Sequence, residues 1–300
     1  MVDLHTHSRA SDGSLNPDEL IREASRRGLR AIALTDHDTI NGLGRAKDEA
    51  RRQGILFIPG IEIEIEYQGA GEFHLLGLGI GRPSPAFREA VAELSRRREL
   101  RNREILARMN EMSIGATWEE LLALARGDET QSGAGPGEEA GPSLGRPHFA
   151  ALLVKRGIVK NREQAFSRYL REGKPFYAPK AGLEFGRAAA LIRESGGIPV
   201  LAHPMSLYAA WGRLPALLKE LKDRGLAGIE AWHPTAKPRE CRRLEDLGKE
   251  LGLCISAGSD FHGEARPDRR LGYTCGGREI EDRFLENIEA VCKLSNNVIE

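Results

Sequence analysis

The 300-residue sequence has few cysteines, few aromatic residues and no excess of charge of either sign. Its four cysteines are widely spaced and form no CxxC pair, which argues against a zinc ribbon or a disulfide framework. Basic and acidic residues each number 44, so long duplex nucleic acid is not an expected partner. No apolar run reaches the ~18 residues that cross a membrane, and the amino terminus lacks the features of a signal peptide. We therefore expect a cytoplasmic protein without membrane contacts.

The sequence also lacks two widespread catalytic signatures. It contains no GxSxG motif, which would present a nucleophilic serine, and no GxxxxGK[ST] loop, which would cradle a nucleoside triphosphate. The chain is long enough for one large α/β domain, or for such a domain with a smaller insertion. The chemistry must therefore come from other residue types.

Short β-rich runs alternate with helical runs, which is typical of a parallel sheet with crossover helices. The predicted strands are residues 2–7, 31–35, 198–203, 228–233 and 253–260, and two further β segments, 56–67 and 73–80, suggest a hairpin. A long arginine-rich helix from about residue 85 and a polar loop at 128–143 interrupt the alternation. We predict an α/β barrel of residues 1–99 and 183–300, with a helical insertion of residues 100–182.

Six of the eight histidines fall at or near predicted strand ends: His5, His7, His37, His74, His203 and His262. Parallel α/β barrels build their active sites at the carboxyl ends of several strands. His5 and His7 are two residues apart on a strand, so both side chains leave the same face, and Asp260 and His262 repeat this spacing. Imidazole and carboxylate groups bind zinc, manganese or iron. A single histidine would more simply be a hydrogen-bonded core residue, but six at one rim favour a metal site.

Seven motifs carry these histidines and several acidic residues. In order they are Asp3-Leu-His-Thr-His-Ser8, Ser11-Asp-Gly13, Thr35-Asp-His-Asp38, Pro59-Gly-Ile-Glu62, His74-Leu-Leu-Gly77, Ala202-His-Pro204 and Gly258-Ser-Asp-Phe-His262. This succession resembles the motifs of the PHP (polymerase and histidinol phosphatase) family. The resemblance implies a distorted (β/α)7 TIM-like barrel and a phosphoesterase with three divalent metal ions. Manganese is the expected ion, with iron or zinc as alternatives.

Carried over residue by residue, the resemblance implies three metal-binding groups. His5, His7, Glu62 and Asp260 would hold the first ion, Asp12, His37 and His262 the second, and Glu62, His74 and His203 the third. Strand alternation places Glu64 and Glu66 on the same face as Glu62, and we interpret these two as a solvated face. The expected reaction is in-line attack on phosphorus by a metal-activated hydroxide, because metal ions lower the pKa of bound water.

The insertion and the Ser11-Asp12-Gly13 motif resemble the nucleotide phosphatase and oligoribonuclease subgroup of the family. Two runs in this part of the chain, Arg98-Glu-Leu-Arg101-Asn-Arg103 and Gly145-Arg-Pro-His-Phe-Ala150, are similar to motifs of that subgroup. The candidate substrate contacts are Arg101, Arg146, His148 and His233, since arginine binds phosphate with two parallel hydrogen bonds. The implied substrates are nucleoside 3′,5′-bisphosphates, which would lose the 3′-phosphate, and short 5′-phosphorylated RNA.

Three other interpretations stay open on the sequence alone. A histidinol-phosphate-type phosphomonoesterase would share the metal centre, but that group usually carries histidine at the position of Asp12. An amidohydrolase can also begin with an HxH motif, and the paired Asp260 and His262 argue against it. A non-catalytic metal-binding module would be expected to have lost ligands, whereas all nine positions carry residues that can bind metal.

Overall fold

The computed structural model describes residues 1–67, 71–126 and 143–292. Seven strands form one sheet whose spatial order follows the chain. They are β1 (Val2–Asp3), β2 (Ala31–Leu34), β3 (Leu56–Glu64), β4 (His74–Leu78), β5 (Ile198–Leu201), β6 (Gly228–Trp232) and β7 (Cys254–Ala257). The loop predicted at 128–143 lies outside the described residues, apart from Ser143.

Strand β4 runs against its neighbours. β1, β2 and β3 are parallel, as are β5, β6 and β7, whereas β4 is antiparallel to both β3 and β5. The predicted hairpin between β3 and β4 is therefore confirmed, because the short connection leaves no room for a crossover helix. The expectation that His74 lies near the carboxyl end of a strand is wrong, since it begins β4. Its pairing with Glu64 nevertheless places it at the rim where β3 ends.

Hydrogen bonds beyond β1 and β7 bring the two edges of the sheet together. The backbone N–H of His7 donates to the carbonyl of Phe261 (2.9 Å), and that of Asp260 donates to the carbonyl of His5 (2.9 Å). The sheet is thus a nearly closed seven-stranded barrel, as the resemblance implied. These bonds continue the strands at their carboxyl ends, so three predicted site residues are held at one rim.

The described residues contain ten α-helices. They are α1 (Pro17–Arg26), α2 (Leu43–Gln53), α3 (Pro85–Glu111), α4 (Trp118–Arg126), α5 (Arg146–Lys155), α6 (Arg162–Ala165), α7 (Phe185–Glu194), α8 (Leu214–Asp223), α9 (Pro238–Glu250) and α10 (Arg283–Cys292). Before α10, β9 (Arg278–Glu279) pairs with β8 (Tyr273–Thr274) in a separate small sheet. None of the helices in the described ranges combines the length and apolar character needed to cross a bilayer.

Helix α3 connects two hydrophobic clusters. Its first half carries Phe87 and Leu94, which belong to the core around the barrel strands. Its second half carries Ile105 and Met109, which belong to a separate cluster confined to residues 105–178. A continuous helix therefore crosses the predicted boundary at residue 100. The segment Phe166–Leu170 directly after α6 is a π-helix, a form that is often found at functional sites.

Candidate metal centre and substrate pocket

The nine side chains of the predicted metal-binding groups lie together at the carboxyl-terminal rim of the barrel. They come from the chain after β1 (His5, His7 and Asp12), after β2 (His37), from β3 and β4 (Glu62 and His74), and from the chain after β5 and β7 (His203, Asp260 and His262). All are buried except His37, which is partly exposed. Residues far apart in sequence thus surround one small volume.

The first predicted group is closely packed around fully buried Glu62. The Nε2 atoms of His5 and His7 lie 3.1 Å apart, and they lie 3.4 and 3.3 Å from Oε2 of Glu62. Oδ1 of Asp260 lies 3.4 Å from Nε2 of His7 and 3.7 Å from Nε2 of His5. These four atoms are close enough to one another to bind a single metal ion between them.

The other two predicted groups flank the first. Oδ1 of Asp12 lies 3.1 Å from Nε2 of His262 and 3.9 Å from Nε2 of His37.

On the other side, Oε1 of Glu62 lies 2.9 Å from Nδ1 of His74 and 2.9 Å from Nε2 of His203. Oε2 of the same carboxylate lies 2.9 Å from Nδ1 of His37. Glu62 therefore lies between histidines of all three predicted groups.

Several donor atoms at this rim are buried without a hydrogen-bond partner in the described part of the chain: His7 Nδ1, Asp12 Oδ1, Glu62 Oε2, His233 Nε2 and His262 Nε2. A buried polar atom without a partner is costly, so such a cluster calls for a missing partner. Four sets of three or four candidate ligand atoms lie within 4.8 Å of one another; one of these sets includes His233, and none of them includes His203. A mixed set of imidazole and carboxylate donors suits manganese, iron or zinc, so the residues fit divalent metal ions.

The pKa values of the groups at the rim show that carboxylates and histidines interact strongly there. Burial opposes the ionisation of Glu62, but the neighbouring histidines His37 and His74 hold its pKa well below the ordinary range. Burial alone would lower the pKa of His7, whereas Asp260 and Glu62 raise it to about 9. The imidazoles of the rim differ in this respect, because burial lowers the pKa of His262 to about 4. An imidazole such as His7 can therefore hold a proton beside the carboxylates of the metal-free protein. A metal ion would replace that proton.

Glu230, in the middle of β6, was not identified from the sequence. Its Oε1 lies 3.0 Å from Nδ1 of His5, and its Oε2 accepts a hydrogen bond from the backbone N–H of His203 (2.7 Å). His203 has a φ of 27°, which is rare for a residue with a side chain. Carboxylates behind metal-binding histidines orient the ring and select its tautomer. The available signal was a charged residue inside the otherwise apolar strand Gly228–Trp232.

A cavity of about 220 Å³ opens beside the metal-binding groups. It is lined by Asp12, His37 and His74 from those groups, by Glu64, Glu72, Gly145, Pro147 and Phe166, and by six cationic residues: Arg98, Arg101, Arg146, Arg162, Lys180 and Arg266. The cationic residues come from both the barrel and the predicted insertion. Of these six, only Arg101 and Arg146 were among the candidates that we selected as substrate contacts.

Most of these cations are neutralised by a carboxylate. Arg98 is paired with Asp38, Arg146 with Glu72 (2.7 Å), Arg266 with Asp260 (2.7 Å), and Lys180 with Glu64 (2.6 Å).

Glu64 is consequently buried at the cavity, so the prediction that it lies on a solvated face is wrong. Lys180, a residue distant in sequence, provides the partner that makes its burial tolerable. Glu66, two residues further along, is exposed as predicted.

Arg101 differs from these paired cations. No carboxylate of the described residues lies within ion-pair distance of it, and its Nε atom is buried without a hydrogen-bond partner there. Burial, together with the charges of Arg98 and Arg146, lowers the pKa of Arg101 to about 9. The guanidinium is still a cation at neutral pH, and it lacks the anion that its surroundings require.

The other two candidate substrate contacts do not line the cavity. Nδ1 of His148 accepts a hydrogen bond from the backbone N–H of Gly145 (3.0 Å) at the start of α5, which leaves the proton of the neutral ring on Nε2. His233 is buried behind the rim, with its Nε2 atom 3.4 Å from Oδ2 of Asp260 and its Nδ1 atom 2.7 Å from the hydroxyl of Thr235. His233 thus belongs with the metal-binding groups in space.

Comparison with known proteins gives one consistent family. Residues 3–129 match the model of the PHP domain. The chain is 34% identical over 266 residues to the 5′-3′ exoribonuclease Rnm of Salmonella typhimurium, covering 87% of this chain and 85% of that protein. It is 31% identical over 292 residues to the 3′,5′-nucleoside bisphosphate phosphatase of Chromobacterium violaceum, covering 95% and 98% of the two chains.

A solved structure has the same fold. An amidohydrolase from Chromobacterium violaceum, determined with bound sulfate and without metal, superposes with a TM-score of 0.80 at 29% identity, over 95% of this chain and 96% of that one. Sequence motifs, barrel and relatives agree over most of the chain. The chain therefore belongs to the PHP family and is a metal-dependent phosphoesterase.

Proposed function

We propose that this enzyme hydrolyses the 3′-phosphoester of nucleotides that also carry a 5′-phosphate. The substrates would be nucleoside 3′,5′-bisphosphates and short 5′-phosphorylated RNA. The observation that carries the proposal is Arg101, a cation without a carboxylate partner among the described residues, in the same cavity as Asp12, His37 and His74. One phosphate would lie at the metal-binding groups and the second at Arg101. Two relatives named for these activities support the choice.

The metal-binding residues in this proposal are the nine that the resemblance implied: His5, His7, Asp12, His37, Glu62, His74, His203, Asp260 and His262. They would hold three divalent ions, with manganese as the expected metal. Bound ions of this kind act as Lewis acids, lower the pKa of water and stabilise charge on a phosphoryl group. Glu62 would bridge, since its two oxygens face histidines of different groups.

Residues of the predicted insertion would bind and cover the second phosphate. Arg101 and Arg146 can each direct two N–H groups at phosphate oxygens, and Arg146 is already held by Glu72. His148 would support this wall of the cavity through its bond to Gly145 and could offer its Nε2–H group to the substrate. His233 would keep Asp260 in place from behind. The insertion would thus act as a cap that excludes water around the ester.

The test is phosphate release by the manganese-loaded protein from three substrates: adenosine 3′,5′-bisphosphate, adenosine 3′-monophosphate and histidinol phosphate. Arg101→Gln is expected to lower kcat/KM for the bisphosphate by roughly 10–100-fold, because a charge-assisted contact contributes about 1.5–3 kcal/mol. It should change kcat/KM for the monophosphate little, since that substrate lacks the 5′-phosphate. Arg103→Gln is the matched control, because Arg103 lies on the same helix but is exposed and paired with Glu99.

Asp260→Ala is expected to abolish release from every substrate, because it removes a carboxylate between two histidines. A preference for histidinol phosphate would replace the nucleotide proposal with the histidinol-phosphate alternative. Equal hydrolysis of the two adenosine substrates would remove the role assigned to Arg101.

A further inference from the structure

The cavity contains a second arginine without a carboxylate partner. Arg162 begins α6, and its Nη1 group donates to the backbone carbonyl of Ala265. Its guanidinium also lies 5.5 Å from the ring centre of Phe166. Within the described ranges no carboxylate lies at ion-pair distance from it. Arg162 therefore joins the predicted insertion to the barrel and brings an unneutralised charge to the cavity wall.

Arg162 and Arg101 lie on different elements of the cavity wall. Arg162 donates to the carbonyl of Ala265, next to Arg266, which is paired with Asp260, whereas Arg101 lies on α3 three residues after Arg98, which is paired with Asp38. Asp260 is a predicted metal ligand. An anion at Arg162 would consequently be separate from one at Arg101, with the metal-binding groups close to both.

Arg266 adds a second guanidinium group at this position. One of its Nη groups is bound by Asp260 (2.7 Å), but its Nε atom is buried without a hydrogen-bond partner in the described chain. Arg162 and Arg266 line the same cavity, and Arg162 donates to the carbonyl of the residue before Arg266. An anion lying between the two guanidinium groups would accept N–H groups from both.

A nucleoside bisphosphate has only two phosphates, which the proposed function places at the metal-binding groups and at Arg101. We propose that Arg162, together with Arg266, binds the phosphodiester that follows the scissile one, on the leaving-group side of an RNA chain. This inference rests on the proposed function and extends it. The smallest substrate that fills all three positions is a 5′-phosphorylated trinucleotide, because a 5′-phosphorylated dinucleotide ends after two phosphates.

The test compares the first cleavage of a 5′-phosphorylated trinucleotide with that of the 5′-phosphorylated dinucleotide by manganese-loaded protein. The wild type is expected to prefer the trinucleotide in kcat/KM, and Arg162→Gln is expected to lower that preference by about tenfold, as loss of a charged contact predicts. Arg162→Lys should retain part of this preference, since lysine keeps the positive charge but lacks the two parallel N–H donors of arginine. Arg168→Gln is the control, because Arg168 is exposed on the adjoining π-helix and does not line the cavity.

A binding measurement separates this inference from the proposed function. Affinities of the metal-free protein for the same two RNAs, measured by calorimetry, should show the same loss of preference in Arg162→Gln even if neither RNA is cleaved. If the wild type does not distinguish the two RNAs, or if Arg162→Gln weakens both equally, the inference is overturned. Equal weakening would place Arg162 on the scissile phosphate or assign it only a role in the fold.

Discussion

Replacing Glu230 with glutamine tests how the metal-binding groups are held in place. The two oxygens of Glu230 serve two N–H groups, Nδ1 of His5 and the backbone N–H of His203. A glutamine side chain has one acceptor oxygen, so its NH₂ group would face the second donor. Either the His5 ring turns, or the unusual backbone conformation of His203 loses its support.

The expected magnitude follows from the two hydrogen bonds that this substitution disturbs. Charge-assisted hydrogen bonds to a buried carboxylate contribute about 1.5–3 kcal/mol, and 1.4 kcal/mol corresponds to a tenfold change in affinity. Loss of a carboxylate behind a metal-binding histidine typically reduces metal affinity by about 10–100-fold. We therefore expect Glu230→Gln to bind Mn²⁺ about 10–100-fold more weakly than the wild type.

The assay is a titration of metal-free protein with Mn²⁺ against a competing chelator, followed by activity at saturating metal. Glu245→Gln is the control, because Glu245 is a buried carboxylate that accepts from the indole of Trp232 and touches none of the predicted ligands. Wild-type affinity in Glu230→Gln, or an equal loss in the control, would refute the positioning role.

Three further outcomes are expected. Gly258→Ala should destabilise the metal-free protein by about 1–3 kcal/mol in urea unfolding, because an added Cβ would lie 2.3 Å from the Cβ of His5. Binding of Mn²⁺ at neutral pH should release protons, measured by calorimetry in buffers of different ionisation enthalpy. The reason is that carboxylate neighbours, against the effect of burial, raise the pKa of His7 to about 9 and of His74 to about 10; a buffer-independent enthalpy would contradict this. Burial opposes ionisation of Glu245, but its donors lower its pKa from 4.5 to about 2. The stabilisation by ionised Glu245 is therefore fully present above pH 4.5 and is lost as the pH falls towards 2. The difference in unfolding free energy between the wild type and Glu245→Gln should consequently shrink in acid. A difference that does not change with pH would contradict this prediction.

The residues proposed to bind metal illustrate what local sequence can predict. Strand alternation alone places His5 and His7 on one face, and a parallel barrel brings strand ends to one rim. The order of the motifs then indicates the family, and comparison with known proteins confirms it.

The carboxylates of β3 show where local sequence stops being sufficient. Glu62 and Glu64 share a strand face, yet one stands among histidines and the other binds Lys180. Periodicity is identical for the two residues, so only the position of distant side chains separates them. The same holds for Arg98 and Arg101 on one helix face, where Asp38 neutralises the first and leaves the second unpaired among the described residues.

The sequence by itself determined the α/β class, the β3–β4 hairpin and the residue types that could bind metal, because these depend on spacing and side-chain chemistry along a short stretch of chain. Tertiary structure alone decided that β4 brings His74 to the rim by running backwards, and that Glu230 supports His5 and His203. It also decided which arginines keep an unneutralised charge. Pairing between distant groups sets these properties, and a linear pattern does not specify which groups meet.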